Sequence, residues 1–513
     1  MVLPLREGAR KVTLETLTPE ESLALLREHL GTARVDAEPE AARALVGHCA
    51  RLPLALRVLA ERLNELPDLP LATIAAELSA EDERLDGLGF TGDELSDVRA
   101  VFSASYGALA EETAALFRAL GVHPGDDFTP AACAAAAGLR PGRTRRLLEQ
   151  LAAANLVQRL KHDRYRMHDL LRVYAAERFR AEEPGGQEAA VIGRLGAWYL
   201  TCARNAVRAV LPNFRFVPLE RYERADAQGF DSPADAVAWF EAERENIVQT
   251  LRAALDSRLD DLAWRLPATA YPLFEYGWYW SDWRGIHLIG LEAARAASDR
   301  YGEARNLVGL ADAEWSRDEI DTALGHYEAA LAGARESGDG WTEGFALRQL
   351  GELRWERDRD PGAEELLWEA THAFHGAGER RGRGMALLSL AAYERDQGRT
   401  ASAEEHARAA VALFTEIADT WTTAWAGCKL AAILAAAERF AEAVAEYATA
   451  TAVFEEARSL EGVSAARLGA GRALAAAGRT EEARAQLTAA LDILESMEDP
   501  RAAEVEAEIA DLG

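Results

Sequence analysis

Leu350–Ala370, LGELRWERDRDPGAEELLWEA, has a counterpart in Leu390–Ala410, LAAYERDQGRTASAEEHARAA, at a spacing of 40. The spacing holds down the chain. Ala323, Ala363, Ala403, Ala443 and Ala483 form one column, and Ala330, Ala370, Ala410, Ala450 and Ala490 form a second. Phe374, Phe414 and Phe454, continued by Leu494, form a third; Leu310, Leu350, Leu390 and Leu430 form a fourth. An Ala-rich chain can yield one such column by accident. Two Ala columns in register with a Leu and a Phe column mark internal repeats. The Ala columns lie seven residues apart, two turns along one helix face. Small side chains there let a neighbouring helix approach closely, and the aromatic four residues further on fills the space between units. Gln397-Gly398-Arg399 and Ala477-Gly478-Arg479 punctuate the units as turns. Each unit therefore reads as helix, turn, helix. A lone helical hairpin cannot bury its apolar face, so the units must stack. Five run from about Glu303 to Met497, a helix near Trp283–Ala297 reads as the second half of a sixth, and acidic Arg501–Leu512 reads as a cap.

The small, small and aromatic anchor positions resemble those of a tetratricopeptide (TPR) array. The period exceeds the usual repeat of about 34 residues, so helices or connectors are extended. HEAT-like helical pairs share the longer period, but the Gly-Arg turn followed by Ala favours the TPR-like reading.

The chain has 513 residues, too many for one core. Apolar residues make up 49%, and only three lysines occur, Lys11, Lys161 and Lys429. Abundant Ala, Arg and Gly with so little Lys suggest a G+C-rich bacterial genome. The net charge of −28 repels nucleic acid as a whole, so any such site must be a local basic patch. Cys49, Cys133, Cys202 and Cys428 are scattered without metal-ligand spacing and read as reduced thiols. No apolar h-region opens the chain and no run of about 18 apolar residues occurs, so the expected compartment is the cytoplasm, without a membrane partner.

The N-terminal half reads as helical. Thr18, Pro19 and Glu21 make a helix start. Pro53, within the apolar stretch Arg51-Leu52-Pro53-Leu54-Ala55-Leu56, should kink or restart a helix. Glu111–Leu120, Thr129–Ala137 and Pro141–Ala154 read as three helices, followed by short strands at Leu156–Leu160 and Arg164–Met167. Three helices and a ribbon make a winged-helix arrangement. The expected fold class is mainly α, a winged-helix domain followed by an α-solenoid of TPR-like hairpins.

Three elements now carry a family resemblance. Arg51–Leu56 resembles the GLPLAL motif of NB-ARC nucleotide switches, with Arg51 in place of the Gly. Met167-His168-Asp169 resembles their MHD motif and falls at the end of a winged helix. A helical array follows. The order is similar to that of STAND regulators (signal-transduction ATPases with numerous domains), specifically the bacterial antibiotic-regulator type with C-terminal TPRs. Trp239–Ile247, WFEAERENI, with Leu262–Leu266, LAWRL, resembles that group's helical linker. The resemblance implies four regions: a helical NB-ARC remnant over 1–100, a winged helix over 101–180, a linker over 181–297 and repeats over 298–513. It implies ADP or ATP contacts at His168 and Pro53, with Asp169 holding the local geometry. No GxxxxGK[ST] occurs, so a phosphate cradle is missing, and no nucleotide cofactor is expected for this chain alone. ADP or ATP would belong to a full-length context, with this chain the C-terminal part of a longer regulator or a truncated relative.

Two surfaces remain. Arg140, Arg143, Arg145, Arg146, Arg159, Lys161, Arg164 and Arg166 stand against only Glu149 and Asp163, which makes Arg143, Arg145, Arg146 and Lys161 DNA-binding candidates. Tyr271, Phe274, Tyr276, Trp278, Tyr279, Trp280 and Trp283 form an aromatic cluster; it is either the packed junction with the first repeat or a hot spot in which Trp278, Trp280 and Trp283 bind a partner. No residues combine into a catalytic constellation. The expectation is a regulatory interaction protein, not an enzyme, whose repeats bind a protein or peptide, with self-assembly a further partner mode and DNA binding through the wing the runner-up.

Overall fold

The computed structural model describes residues 17–49, 51–86, 99–276, 279–456, 459–497 and 499–512. Helix α1 (Pro19–Leu30) starts on a reciprocal capping box: Thr18 Oγ1 accepts from the Glu21 N–H at 3.2 Å, and the Glu21 carboxylate accepts from the Thr18 N–H at 2.8 Å. Then come α2 (Thr32–Ala37), α3 (Pro39–His48), α4 (Pro53–Glu65), α5 (Leu71–Asp86) and α6 (Arg99–Gly107). Pro53 occupies the first position of α4, where its missing N–H costs nothing, so it restarts a helix and does not kink one.

The winged-helix elements are α7 (Glu111–Gly121), β1 (Asp127–Phe128), α8 (Pro130–Ala137), α9 (Pro141–Ala153), β2 (Gln158–Arg159) and β3 (Tyr165–Arg166). The sheet order is β1-β3-β2, antiparallel throughout. His162 and Asp163 take φ of 56° and 57°, both left-handed, as a tight hairpin turn requires. Strand β1 was not expected; two residues are too short to show an alternation. Buried side chains of α1–α5 and of the winged helix, from Leu26 to Ala175, belong to one hydrophobic cluster.

Helices α10 (Asp169–Glu182), α11 (Gln187–Val210) and α12 (Pro233–Asp256) follow. The chain divides into two compact units. One runs to Tyr199 and includes Tyr222–Ala227 and Ala242–Leu259; the other holds Leu200–Arg221, Gln228–Glu241 and the chain from Asp260 on. The second unit is a stack of hairpins: α13–α14 (Asp260–Tyr276, Trp280–Ala296), α15–α16 (Arg300–Trp315, Ile320–Ser337), α17–α18 (Gly340–Asp358, Ala363–Gly376), α19–α20 (Arg380–Asp396, Thr400–Glu416), α21–α22 (Thr420–Ala436, Phe440–Glu456) and α23–α24 (Leu460–Ala476, Thr480–Ser496). Helix α25 (Ala502–Asp511) caps the end by burying Val505 against Leu487 and Leu494. The hairpin pairing thus begins at Asp260, inside the span read as linker.

Every member of the four sequence columns is 2% exposed or less. The paired helices of a hairpin meet as knob and hole. A Cβ added at Gly384 of α19 would sit 2.7 Å from the Phe414 ring of α20, and one at Gly471 of α23 would sit 2.7 Å from Leu487 of α24. Turns recur with the same discipline. Ser298, Gly338, Gly378 and Ala418 are left-handed at one turn; Asp318, Gly398, Glu438 and Gly478 are left-handed at the other. Residue type varies while the left-handed conformation recurs, because helices that must pack in a fixed order dictate it; between α17 and α18 it falls on Arg359, one position later.

Ala403 and Ala443 are fully buried. Replacing either with Leu forces three carbons into a close-packed contact, with an expected cost of about 1–3 kcal/mol. Repeat units couple to their neighbours. Hydrogen exchange should therefore speed up over residues 385–455, with Glu111–Met167 unchanged. Unchanged protection over 385–455 is the contrary result.

Candidate functional site

The motif residues of the first unit are set by local structure. Met167 is buried in the core, and His168 follows as the N-cap of α10, its Nδ1 accepting from the Leu170 N–H at 3.3 Å. Asp169 opens the helix, where a carboxylate complements the positive end of the helix dipole. Both residues are exposed. One turn on, Arg172 donates to the main-chain oxygens of His123 (3.2 Å) and Asp126 (3.1 Å). His123 is buried, its pKa pushed down to about 3 by burial, and its Nδ1 accepts from the Gly125 N–H. At the other motif, Arg51 takes φ of 58°, the conformation glycine holds without strain, in the position where the resembling motif has Gly. Pro53 is exposed at the start of α4. The two motifs pack into one core through Ala55, Leu56, Met167 and Leu171. These residues do not by themselves fit a nucleotide. His168 spends one ring nitrogen on its own helix, and the sequence supplies no loop to cradle phosphates.

The DNA-binding candidates divide. Arg143 Nε donates to Glu112 at 2.8 Å, and a second guanidinium nitrogen pairs with the same carboxylate. Arg145 pairs with Asp163 at 2.7 Å. Arg146 and Lys161 are exposed. The basic face is thus weaker than its sequence suggests, because Glu112, outside the counted stretch, folds onto it.

Arg164 has a different role. It reaches Asp127 of β1 at 2.6 Å and also pairs with Glu243 of α12. Glu243 is 1% exposed and accepts further hydrogen bonds from the Tyr199 hydroxyl (2.7 Å) and Asn246 Nδ2 (2.9 Å). A buried carboxylate persists only when its lone pairs are filled in this way. The network fastens the hairpin of the wing to α11 and α12.

In the second unit, Trp283 is 2% exposed and stacks on Tyr271, with centroids 6.4 Å apart and planes at 14°. Of the two readings of the aromatic cluster, packed junction or partner surface, Trp283 follows the first: its ring lies in the core of the first hairpin. Trp278 lies outside the described residues, and so does the side chain of Trp280, whose backbone opens α14. A polar seam crosses three hairpins instead. Asp312 accepts from the Tyr327 hydroxyl and from Gln349 Nε2 (3.1 Å). Arg348 donates twice to Glu352 at 2.9 Å, and the Ser389 hydroxyl donates to Glu352. Burial pushes Asp312 up to about 6. Among the described residues no group of three or more His, Cys, Asp or Glu side chains could hold a metal ion.

The chain is 33% identical over 315 residues to the regulatory protein AfsR of Streptomyces coelicolor, which is 60% of this chain and 31% of that protein. To the regulatory protein AfsR of Streptomyces griseus it is 34% identical over 301 residues, 58% of this chain and 30% of that one. The chain spans about a third of the length of these curated relatives. No protein-family model matches it. Over that span the chain is similar to the AfsR regulatory proteins.

Among solved structures it is similar to the STAND protein with a tetratricopeptide repeat sensor from Pyrococcus horikoshii (TM-score 0.44, 15% identity, 99% of this chain and 70% of that one). It is also similar to a Rap protein complexed with Competence and Sporulation Factor (TM-score 0.39, 14% identity, 64% and 97%). Sequence reasoning passed over Glu243 and Asn246. Both lie in WFEAERENI, and the signal was there: two polar residues on the helix face that Phe240 and Ile247 bury.

Two outcomes follow. Glu243→Ala leaves Arg164 and Tyr199 without their shared acceptor, and the first unit should lose about 3 kcal/mol in urea unfolding; an unchanged midpoint contradicts the network. Asp312 binds its proton more tightly when folded than its ordinary value near 3.8 allows. Its contribution to stability is therefore full below about 4 and lost as pH rises through about 6. Asp312→Asn should gain stability over the parent across that window, by up to about 3 kcal/mol above it. Hydrogen exchange over residues 300–355 at pH 5 and 8 reads the difference; a gain equal at both pH values contradicts the shift.

Proposed function

We propose that the chain is the sensing and relay portion of a STAND-type regulator acting in transcriptional control. Its TPR-like array binds a protein or peptide, and the winged helix with the NB-ARC remnant passes that event on. The reading rests on one observation above all: the array uses its small-residue columns for stacking and leaves a second face chemically varied. Phe345, Arg348, Glu352 and Trp355 share one side of α17, where Arg348 is buried and the other three are half-buried. Mixed aromatic and charged surfaces on a rigid repeat scaffold suit an extended polypeptide. The regulatory relatives support the role in control. Among the described residues no helix is long and apolar enough to cross a membrane, which fits a cytoplasmic site of action. The absent phosphate loop and the scattered acid and base groups support a role without catalysis by this chain, and they leave ADP or ATP to a larger context.

Transcript profiling tests the reading. Disrupting the coding sequence should change a discrete set of transcripts. The intact chain should restore them, and Arg348→Glu with Phe345→Ala should not, with circular dichroism and hydrogen exchange reading whether that variant keeps the parent fold. Full restoration by the array variant overturns the reading. The paired state of Arg143 and Arg145 argues against the wing as a DNA reader: the purified chain should bind DNA weakly, salt-sensitively and without sequence preference. A footprint on one operator, lost on Arg145→Ala with Arg146→Ala, would promote that alternative.

A further inference from the structure

Residues Leu211–Pro218, LPNFRFVP, connect α11 to later chain without regular structure, and they belong to the repeat unit. They lie on the hairpins. The Phe214 ring meets Tyr271 of α13 at 5.6 Å and Trp341 of α17 at 6.4 Å, both edge-on. Arg215 pairs with Glu379, the N-cap of α19, at 3.0 Å. Asn213 Nδ2 reaches the Ile417 main-chain oxygen, just past α20, at 3.4 Å. Phe216 stands edge-on to Phe214 at 5.1 Å and under the Arg208 guanidinium. Asn213, Phe214 and Arg215 thus touch parts of three hairpins, α13–α14, α17–α18 and α19–α20.

The edge where first helices begin has a repeating chemistry. Tyr301, Trp341 and Trp421 occupy one register position, and Asp339, Glu379 and Asp419 stand two residues before the last two of that register and its Arg381 member. Arg305 already fills Asp339 and the Trp341 face, and Arg381 holds Asp419, which leaves Glu379 to the arginine of a seated segment, with aromatic rings on either side of it. Residues 213–216 supply that pattern. The hold is light. Arg215 is 57% exposed, an ion pair of little strength, and the Asn213 bond is long. Further along, Trp421 is 39% exposed, a large apolar ring that residues 213–216 leave uncovered.

We propose that this edge is the array's peptide-binding surface, that Asn213–Phe216 occupies it in cis, and that the partner is an extended segment of another protein carrying an aromatic–Arg–aromatic core, which displaces the internal segment and covers Trp421. The proposal rests on the reading of the array as a partner-binding element. A tethered segment competes at an effective concentration in roughly the millimolar range, so a weak contact suffices to mask the site until a better-fitting segment arrives.

The test uses the full chain and a fluorescein-labelled peptide of sequence LPNFRFVP, followed by polarisation. The chain with Phe214→Ala and Arg215→Ala should bind the peptide at least about tenfold tighter than the parent chain, which has its edge filled. Arg215→Glu alone, at an exposed position, gives the same comparison should the double variant fold poorly. Glu379→Arg in the loosened background should abolish binding, and a peptide with Glu in place of Arg should recover it. A loosened chain that binds no better than the parent overturns the proposal. Tighter binding insensitive both to Glu379→Arg and to Trp341→Ala overturns it too, since the peptide then adheres elsewhere. Either failure, with transcripts still dependent on Arg348 and Phe345, leaves the sensing role standing and moves the partner to another face of the array.

Discussion

Close approach between helices at two alanine columns is the constraint on which the repeat unit depends. An isolated hairpin of this kind exposes as much apolar surface as it hides, and only a neighbour removes that surface from water. Ala at 323, 363, 403, 443 and 483 sets the distance, and Phe374, Phe414 and Phe454 fill what remains. Everything else in the array is placed relative to that contact. The left-handed turn positions fall where they do because two helices of fixed length must meet column to column. Gly occupies some and Ala418 or Glu438 others, so the packing imposes the conformation even on residues that resist it.

This is why the array was legible in the sequence and other parts were less so. A contact repeated at fixed spacing leaves a periodic trace, and the trace gives helix, turn and stacking order together. The winged helix was readable for a related reason: Gly138 and Pro141 bracket its short helices, and a turn separates its two strands. What escaped were features made once. Strand β1 is two residues long. Helix α13 carries Pro267 and Pro272, which argue against a continuous helix, yet it runs unbroken from Asp260 to Tyr276 and pairs with α14. Trp283 illustrates the limit of composition, since a dense aromatic cluster reads the same whether it faces a partner or a core.

The polar interior divides along the same line. Glu243 and Asp312 are both carboxylates taken from water, and their surroundings differ. Glu243 meets an arginine and two neutral donors, so its charge is matched. Asp312 has a phenol and an amide, which stabilise the anion without neutralising it, and burial raises its pKa to about 6. Neither partner set is deducible from spacing. Arg164 lies 79 residues from Glu243, and Gln349 lies 37 from Asp312. The residue types announce that something must satisfy them; only the fold says what does.

Chain connectivity joins these observations. Helix α11 carries Tyr199 near its middle and ends at Val210, where residues 211–218 begin; helix α12, which carries Glu243, starts at Pro233. The stretch lying on the hairpins is therefore part of the connection between the two helices that hold the wing's Arg164. Just past Asn213–Phe216 the connection is held independently, because Val217 and Leu219 are buried and Arg265 holds the Pro218 carbonyl at 3.0 Å. Displacing the seated residues would free only the span between Val210 and Val217 and raise its entropy, leaving the hydrogen bonds to Glu243 unbroken. A signal of that kind needs no chain of touching side chains. It requires a covalent link that is short when one contact is made and slack when it is not.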